Sequence, residues 1–265
     1  MASTAEPSLT VGYWGIRGLC APLRMMCMYA GTPFKNTSYD LETSADGWDM
    51  ASWIAAKDGL RAKNALINLP YVQDGDMLVT QTNACMGYLG RKLGLWGKTE
   101  VEVSQCEQLL SELMDLRNKM TGYAYSGDHS NDAAINLLKG ISKAEGAYPG
   151  ILAKLDSWLG ANAASGDVFF VGNSATAPDF HAWELLDQFT LLARHVGAPD
   201  PLAPFPHLAA FHTKFCALPA NEPYRKSALA SLPCNNKMAV FGSTPAGPAY
   251  VRGDPTDWHG STGVY

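Results

Sequence analysis

An α/β domain followed by an all-helical domain is the fold this sequence predicts, and three observations predict it. Residues 9–94 read in order as strand, helix, strand, loop, hairpin and helix. From Glu100 onward, apolar residues recur at three- and four-residue steps and strand signals disappear. The two patterns meet at Trp96-Gly97-Lys98, where the character of the chain changes. The expected limits are an N-terminal extension over 1–8, an α/β domain over 9–95, a helical domain over 96–241 and an extended tail over 242–265.

Leu9 to Tyr13 is a short apolar run ending in aromatics, and Gly15, Arg17 and Gly18 turn the chain into a helix beginning near Ala21 and rich in Leu and Met. Lys35 to Tyr39 gives a second strand. The stretch containing Trp48 and Trp53, and the segment Lys57 to Asn68, show little periodicity and are expected to be loop. Leu69 to Val72 and Met77 to Thr80 flank Asp74-Gly75-Asp76, a strong hairpin signal. Ala84 to Leu93 has helical spacing, with Arg91 and Lys92 in its last turn and Gly94 beyond it, as a helix C-terminus requires.

In the second domain, helices are expected over Glu100 to about Tyr125, Ala133 to Lys143, Tyr148 to Leu159, Asp179 to His195 and His207 to Ala217. Thr176 followed three residues later by Asp179 forms a capping-box pattern, and Pro178 fits a first helical turn. The tail from Gly242 is rich in Gly, Pro, Ser and Thr and has no repeating apolar face. Its aromatics Tyr250, Trp258 and Tyr265 leave open whether it docks on the body or on a partner protein.

A length of 265 residues, 47% hydrophobic and 17% charged, is enough for two packed domains. The net charge of −5 argues against general binding to nucleic acid or anionic membrane. No apolar run approaches the roughly 20 residues of a membrane span, and the first residues lack the basic flank and apolar stretch of a signal peptide. A cytoplasmic location is expected. The six cysteines form neither a CxxC pair nor a His/Cys cluster, so reduced thiols and no metal are expected, and thiol–disulfide exchange of the thioredoxin type lacks its motif.

Gly12-Tyr-Trp-Gly-Ile-Arg-Gly-Leu19 with Pro22-Leu-Arg24 resembles the start of a mu-type cytosolic glutathione transferase. The resemblance continues in order through Ser52-Trp-Ile-Ala-Ala-Lys57, Asn68-Leu-Pro-Tyr71, Thr80-Gln-Thr-Asn-Ala84, Met114-Asp115, Tyr125, Pro178-Asp-Phe180 and Lys237-Met-Ala-Val240. It implies a thioredoxin-like first domain, an all-helical second domain, a homodimer, and conjugation of the glutathione thiolate to electrophilic small molecules. The alternative within the same fold is a weakly catalytic or non-catalytic subunit that binds ligands or partners.

The chemistry explains the residue types. A free thiol with a pKa of about 8.5 is only about 3% thiolate at neutral pH, so an enzyme that uses it must stabilise the anion. A phenol stays protonated there and can donate a hydrogen bond to sulfur. By the resemblance, Tyr13 is that donor, with Trp14 and Leu19 beside it. Leu69 and a cis Pro70 present backbone to the cysteinyl part of glutathione. Trp53, Lys57 and Asn68 face the glycyl carboxylate. Gln81 and Thr82 bind the γ-glutamyl carboxylate at a helix N-terminus, where backbone N–H groups favour anions. Asp115 reaches the ammonium group from the partner subunit, and Tyr125 donates to the electrophile.

Three residues depart from the pattern. Gly15 replaces an acidic residue, Met50 an arginine that assists with the glycyl carboxylate, and Leu66 an aromatic knob of the dimer. Asn118, Thr121, Asn235 and Asn236 imply an unusually polar electrophile pocket, and with it weak conjugation of bulky aromatic halides.

Overall fold

The computed structural model describes residues 7–44, 47–125, 127–162, 165–243 and 262–265. The first part of the chain forms β1 (Leu9–Trp14), α1 (Ala21–Tyr29), β2 (Lys35–Tyr39), β3 (Glu42–Ser44), β4 (Gly47–Asp49), α2 (Ala51–Arg61), β5 (Tyr71–Asp74), β6 (Met77–Thr80) and α3 (Thr82–Leu93). The main sheet has the order β6-β5-β1-β2, with β1 and β2 parallel and the other pairs antiparallel. A crossover helix, α1, is what parallel neighbours require, and the Asp74-Gly75 turn supplies the β5–β6 hairpin, with Gly75 at φ 57°. One sheet face packs on α1 and α3. On the other, α2 contributes Trp53 to a small cluster with Tyr39, Ile67, Tyr71 and Leu78.

Two elements differ from expectation in this region. Residues 51–61 are helical rather than loop, because α2 buries one side chain, Trp53, and leaves Ile54 exposed, so it carries no apolar stripe to read. The β3–β4 hairpin is too short to give a period.

The second part contains α4 (Glu100–Tyr125), α5 (Asn131–Ile141), α6 (Ile151–Ala161), α7 (Ala177–His195), α8 (Pro206–Ala217) and the short α9 (Glu222–Lys226). Helix α7 is the central member and packs on α1, α3, α4, α5 and α8. Its first turn has the expected capping box. The Asp179 carboxylate accepts from the Thr176 N–H (2.7 Å), the Thr176 hydroxyl (2.9 Å) and the Phe170 N–H (2.7 Å).

The end of the tail docks on the body of the protein as extended chain. Gly263–Val264 forms β7, a fifth strand antiparallel to β2 at the sheet edge. Phe34 and Tyr265 exchange two backbone hydrogen bonds of 3.0 Å, the Ser38 N–H donates to Thr262 Oγ1 at 2.9 Å, and the Tyr265 ring stacks on Phe34 at 5.8 Å. Tyr250 and Trp258 lie outside the described residues. β7 pairs backbone groups of β2 that would otherwise form an open edge. Removing residues 262–265 is expected to cost about 1–2 kcal/mol. Hydrogen exchange should show faster amides at Phe34 and Ser38, with conjugation activity retained; unchanged exchange there would contradict the docking.

Candidate active site

Tyr13, the penultimate residue of β1, is 6% exposed and precedes the turn formed by residues 15–20. Burial raises the pKa of the phenol, opposed by the charge of Arg117 and by a hydrogen bond from the Leu19 backbone N–H. The hydroxyl therefore stays protonated at neutral pH, and with the Leu19 N–H on its oxygen, its own proton is available to a ligand. Gly18 makes room for this ring. It sits at φ 42°, and a Cβ there would lie 2.7 Å from Tyr13 Cε1 and 2.9 Å from the hydroxyl. Gly18→Ala is expected to displace the phenol and cut catalytic efficiency at least tenfold, readable in steady-state kinetics.

The turn is held from the second domain. Arg17 N–H donates to Pro233 O (2.7 Å) and Gly18 N–H to Cys234 O (3.0 Å). The Arg17 guanidinium donates to Glu184 (2.8 Å) and to Asp187 (2.5 Å), both on α7. Burial raises the Asp187 pKa, but the Arg17 charge and contacts with Arg17 and His212 outweigh it and hold the carboxyl at about 2.

Beside Tyr13, a cavity of about 390 Å³ is lined by Leu19, Asn68, Leu69, Gln81, Thr82, Asn83 and Met114. Leu69, in its lining, precedes Pro70 through a cis peptide bond. Thr80, which the sequence reading passed over, pins that loop: its hydroxyl accepts from the Asn68 N–H (3.2 Å) and lies 2.8 Å from Asn68 O and 3.1 Å from Pro70 O. The Leu69 N–H donates to Asn68 Oδ1 at 2.9 Å, so this backbone edge opens to a ligand only when the Asn68 side chain swings away. Gln81 connects β6 to α3 at φ 72°, a strained conformation for a residue with a Cβ. The N-terminus of α3 has no side-chain cap, which leaves its first-turn N–H groups to the cavity.

Trp14 is partly buried against the core. Trp53 stands in the α2-side cluster, with Lys57 Nζ 5.6 Å from its ring centroid. Asp115 is exposed on α4 and does not line the cavity. Met50 and Leu66 are exposed, Leu66 at 73%.

On the electrophile side, the Tyr125 hydroxyl accepts the Asn236 N–H at 2.8 Å, which leaves its proton to donate elsewhere. Burial pushes its pKa up to about 12. The four polar residues expected here are not equivalent. Asn235 is fully buried, accepting from Arg117 and donating to Phe241 O. Thr121 bonds back to carbonyls of its own helix, whereas Asn118 is exposed and Asn236 partly so. Two of the four groups are therefore satisfied within the protein, which weakens the case for poor turnover of bulky aromatic halides.

Arg17, Arg117, Glu184 and Gln188 form a buried polar network that the sequence reading missed; the signal available was charged and amide residues on the buried face of predicted helices. Among the described residues no group of His, Cys, Asp and Glu is arranged to hold a metal ion, and no helix is long and apolar enough to cross a membrane. The cysteines are free thiols.

A model of the glutathione S-transferase N-terminal domain matches residues 9–91, and one of the glutathione S-transferase C-terminal domain matches residues 114–228. The chain is 32% identical over 243 residues to Glutathione S-transferase Mu 3 of Homo sapiens, covering 91% of this chain and 99% of that protein. It is 33% identical over 219 residues to Glutathione S-transferase Mu 1 of Oryctolagus cuniculus, covering 83% and 91%. Among solved structures it is similar to the Pi-class glutathione S-transferase of Onchocerca volvulus, with a TM-score of 0.69 at 25% identity over 88% of this chain and 99% of the other. The glutathione S-transferase Blo t 8 gives the same TM-score at 24% identity.

Proposed function

The chain belongs to the glutathione S-transferase family, with mu-class relatives, and from that premise we propose how its own residues conjugate glutathione to electrophilic small molecules. Enzymatic transfer is the activity of the family.

Tyr13 donates a hydrogen bond to the glutathione sulfur and so favours the thiolate; the thiol proton leaves to solvent. The thiolate attacks the electrophilic carbon, a C–S bond forms, and the leaving group departs with the electron pair of its broken bond. Tyr125 donates to the electrophile as charge develops on it. The α3 N-terminus with Gln81 and Thr82 takes the γ-glutamyl carboxylate. Asn68, Lys57 and Trp53 take the glycyl end, and Leu69 and Pro70 take the cysteinyl backbone. With Met50 in place of an arginine, losing one exposed charged contact is expected to cost about 1 kcal/mol of glutathione affinity.

The observation that carries this reading is the 390 Å³ cavity, in which Leu19, Asn68, Leu69, Gln81 and Thr82 converge, with the Leu19 backbone N–H linked to the Tyr13 hydroxyl. We assign the active form as a cytoplasmic homodimer in which Asp115 serves the partner's site and the exposed Leu66 is the docking knob. Titration with glutathione, followed by ultraviolet absorbance of the thiolate, tests the reading. Bound thiol should ionise about two pH units below free glutathione; an unshifted titration would overturn it. Sedimentation of the same sample reads the dimer.

A further inference from the structure

We infer that Arg117 is the buried counter-charge of the glutathione thiolate: a fixed cation, held beside Tyr13 and Tyr125 by uncharged partners, whose field adds to the Tyr13 hydrogen bond. This rests on the reading of Tyr13 as thiolate donor and deepens it.

Arg117 is 2% exposed on α4. Its Nη1 donates to Gln188 Oε1 at 2.9 Å and its Nη2 to Asn235 Oδ1 at 3.3 Å, both neutral amides, and its Nε has no partner at all. Among the described residues no carboxylate pairs with it. The nearest in the network is Glu184, reached only through Gln188, whose Nε2 donates to Glu184 Oε1 at 2.6 Å. Glu184 and Asp187 are both committed to Arg17. The network thus holds two guanidiniums and two carboxylates and sums to zero, but unevenly: both negative charges surround Arg17, and the positive end is Arg117. A buried cation bound by amides keeps its field for a ligand, where a carboxylate partner would cancel it.

That positive end adjoins the chemistry. Asn235, which holds Arg117, precedes Asn236, whose N–H holds the Tyr125 hydroxyl. Cys234, the residue before Asn235, accepts the Gly18 N–H through its carbonyl, and Gly18 packs against the Tyr13 ring, so the segment that holds Arg117 also abuts Tyr13; the Arg117 charge correspondingly opposes the rise of the Tyr13 pKa. The other titratable groups around it are neutral near pH 7. Burial pushes His181 on α7 down to about 3, and burial pushes Cys20 and Cys234 up to about 11 and Tyr125 up to about 12. Arg24 on α1, the other buried cation near Tyr13, donates to Asn36 Oδ1 and to the carbonyls of Ile16 and Trp14.

The test titrates the bound thiol by thiolate absorbance in the full-length enzyme, with conjugation followed from pH 6 to 9. Arg117→Gln should raise the apparent thiol pKa by about one unit, cutting conjugation about fivefold at pH 6.5 with recovery toward pH 9. Glutathione affinity should stay within about twofold, and Arg117→Lys should restore the wild-type profile. Asn235→Asp keeps Arg117 in place but gives it a counter-ion, at the loss of the bond to Phe241 O. It should raise the thiol pKa in the same direction, and it decides the matter alone if Arg117→Gln does not fold. A loss uniform across pH, with the thiol pKa unmoved, makes Arg117 a structural residue and overturns the inference. Tyr13→Phe in the same assay separates the two readings. If it leaves the thiol pKa unchanged, the Tyr13 assignment falls; if it raises the pKa while the Arg117 and Asn235 variants do not, only the Arg117 inference falls.

Discussion

Replacing Tyr13 by Phe is expected to lower conjugation about 25-fold at neutral pH while total glutathione affinity falls only about fourfold. The size follows from the thiol. Shifting its pKa by about two units corresponds to roughly 2.7 kcal/mol, within reach of one charge-assisted hydrogen bond in a buried site aided by a nearby positive charge. The ring itself is packed in the core, so Phe fills the same space between β1 and Gly18 and the fold should tolerate it. A loss mainly in turnover, recoverable at high pH where glutathione ionises without help, is the pattern expected of a group that acts on the thiolate. Equal turnover by the two proteins at pH 6.5 would remove Tyr13 from the mechanism.

Replacing Arg17 by Met should have the largest effect on stability, about 3–5 kcal/mol. It leaves Glu184, fully buried, and Asp187, nearly so, without their shared cation, and an orphaned buried charge costs far more than an intact pair contributes. Chemical denaturation would measure this, and a loss below about 1 kcal/mol would mean that the network relaxes freely. Because Arg17 also tethers the turn that positions the Leu19 N–H, activity should fall even under conditions where the variant is folded. The pH dependence has a definite sign. Asp187 is held at about 2, below its unfolded value near 3.9, so its contribution is complete above that value and is lost as pH falls toward 2. That contribution is roughly 2 kcal/mol and should appear as acid-sensitive stability in the wild type that is absent from Asp187→Asn.

Much of the first domain was legible because its elements announce themselves locally. Asp74-Gly75 specifies a turn by backbone conformation, Gly94 ends a helix at φ 70°, and Thr176 with Asp179 begins one. Motif spacing picked out Leu19, Asn68, Leu69, Gln81 and Thr82, which are scattered over more than sixty positions and line one cavity. What escaped were features whose signal is not local. Helix α2 buries a single residue, so it has no periodic face to detect. Thr80 reads as one more polar residue in a strand until the loop folds back over it.

The sequence alone supplied most of the order of the elements, the family and a set of candidate groups for glutathione, since each depends on residue type and short-range spacing. Only the tertiary structure decided which of those groups are free to act. Asn235 and Asn236 are adjacent and chemically identical in sequence, yet one is buried as a partner of Arg117 while the other holds the Tyr125 hydroxyl with its N–H. The last residues read as an extended tail whose docking partner stayed open, and the structure places Gly263 and Val264 at the edge of the sheet, because an open strand edge accepts any extended backbone that can reach it. The pairing of Arg17 with Glu184 and Asp187, some 170 positions away, follows from how the two parts of the chain pack, and hydrophobic pattern carries no record of it.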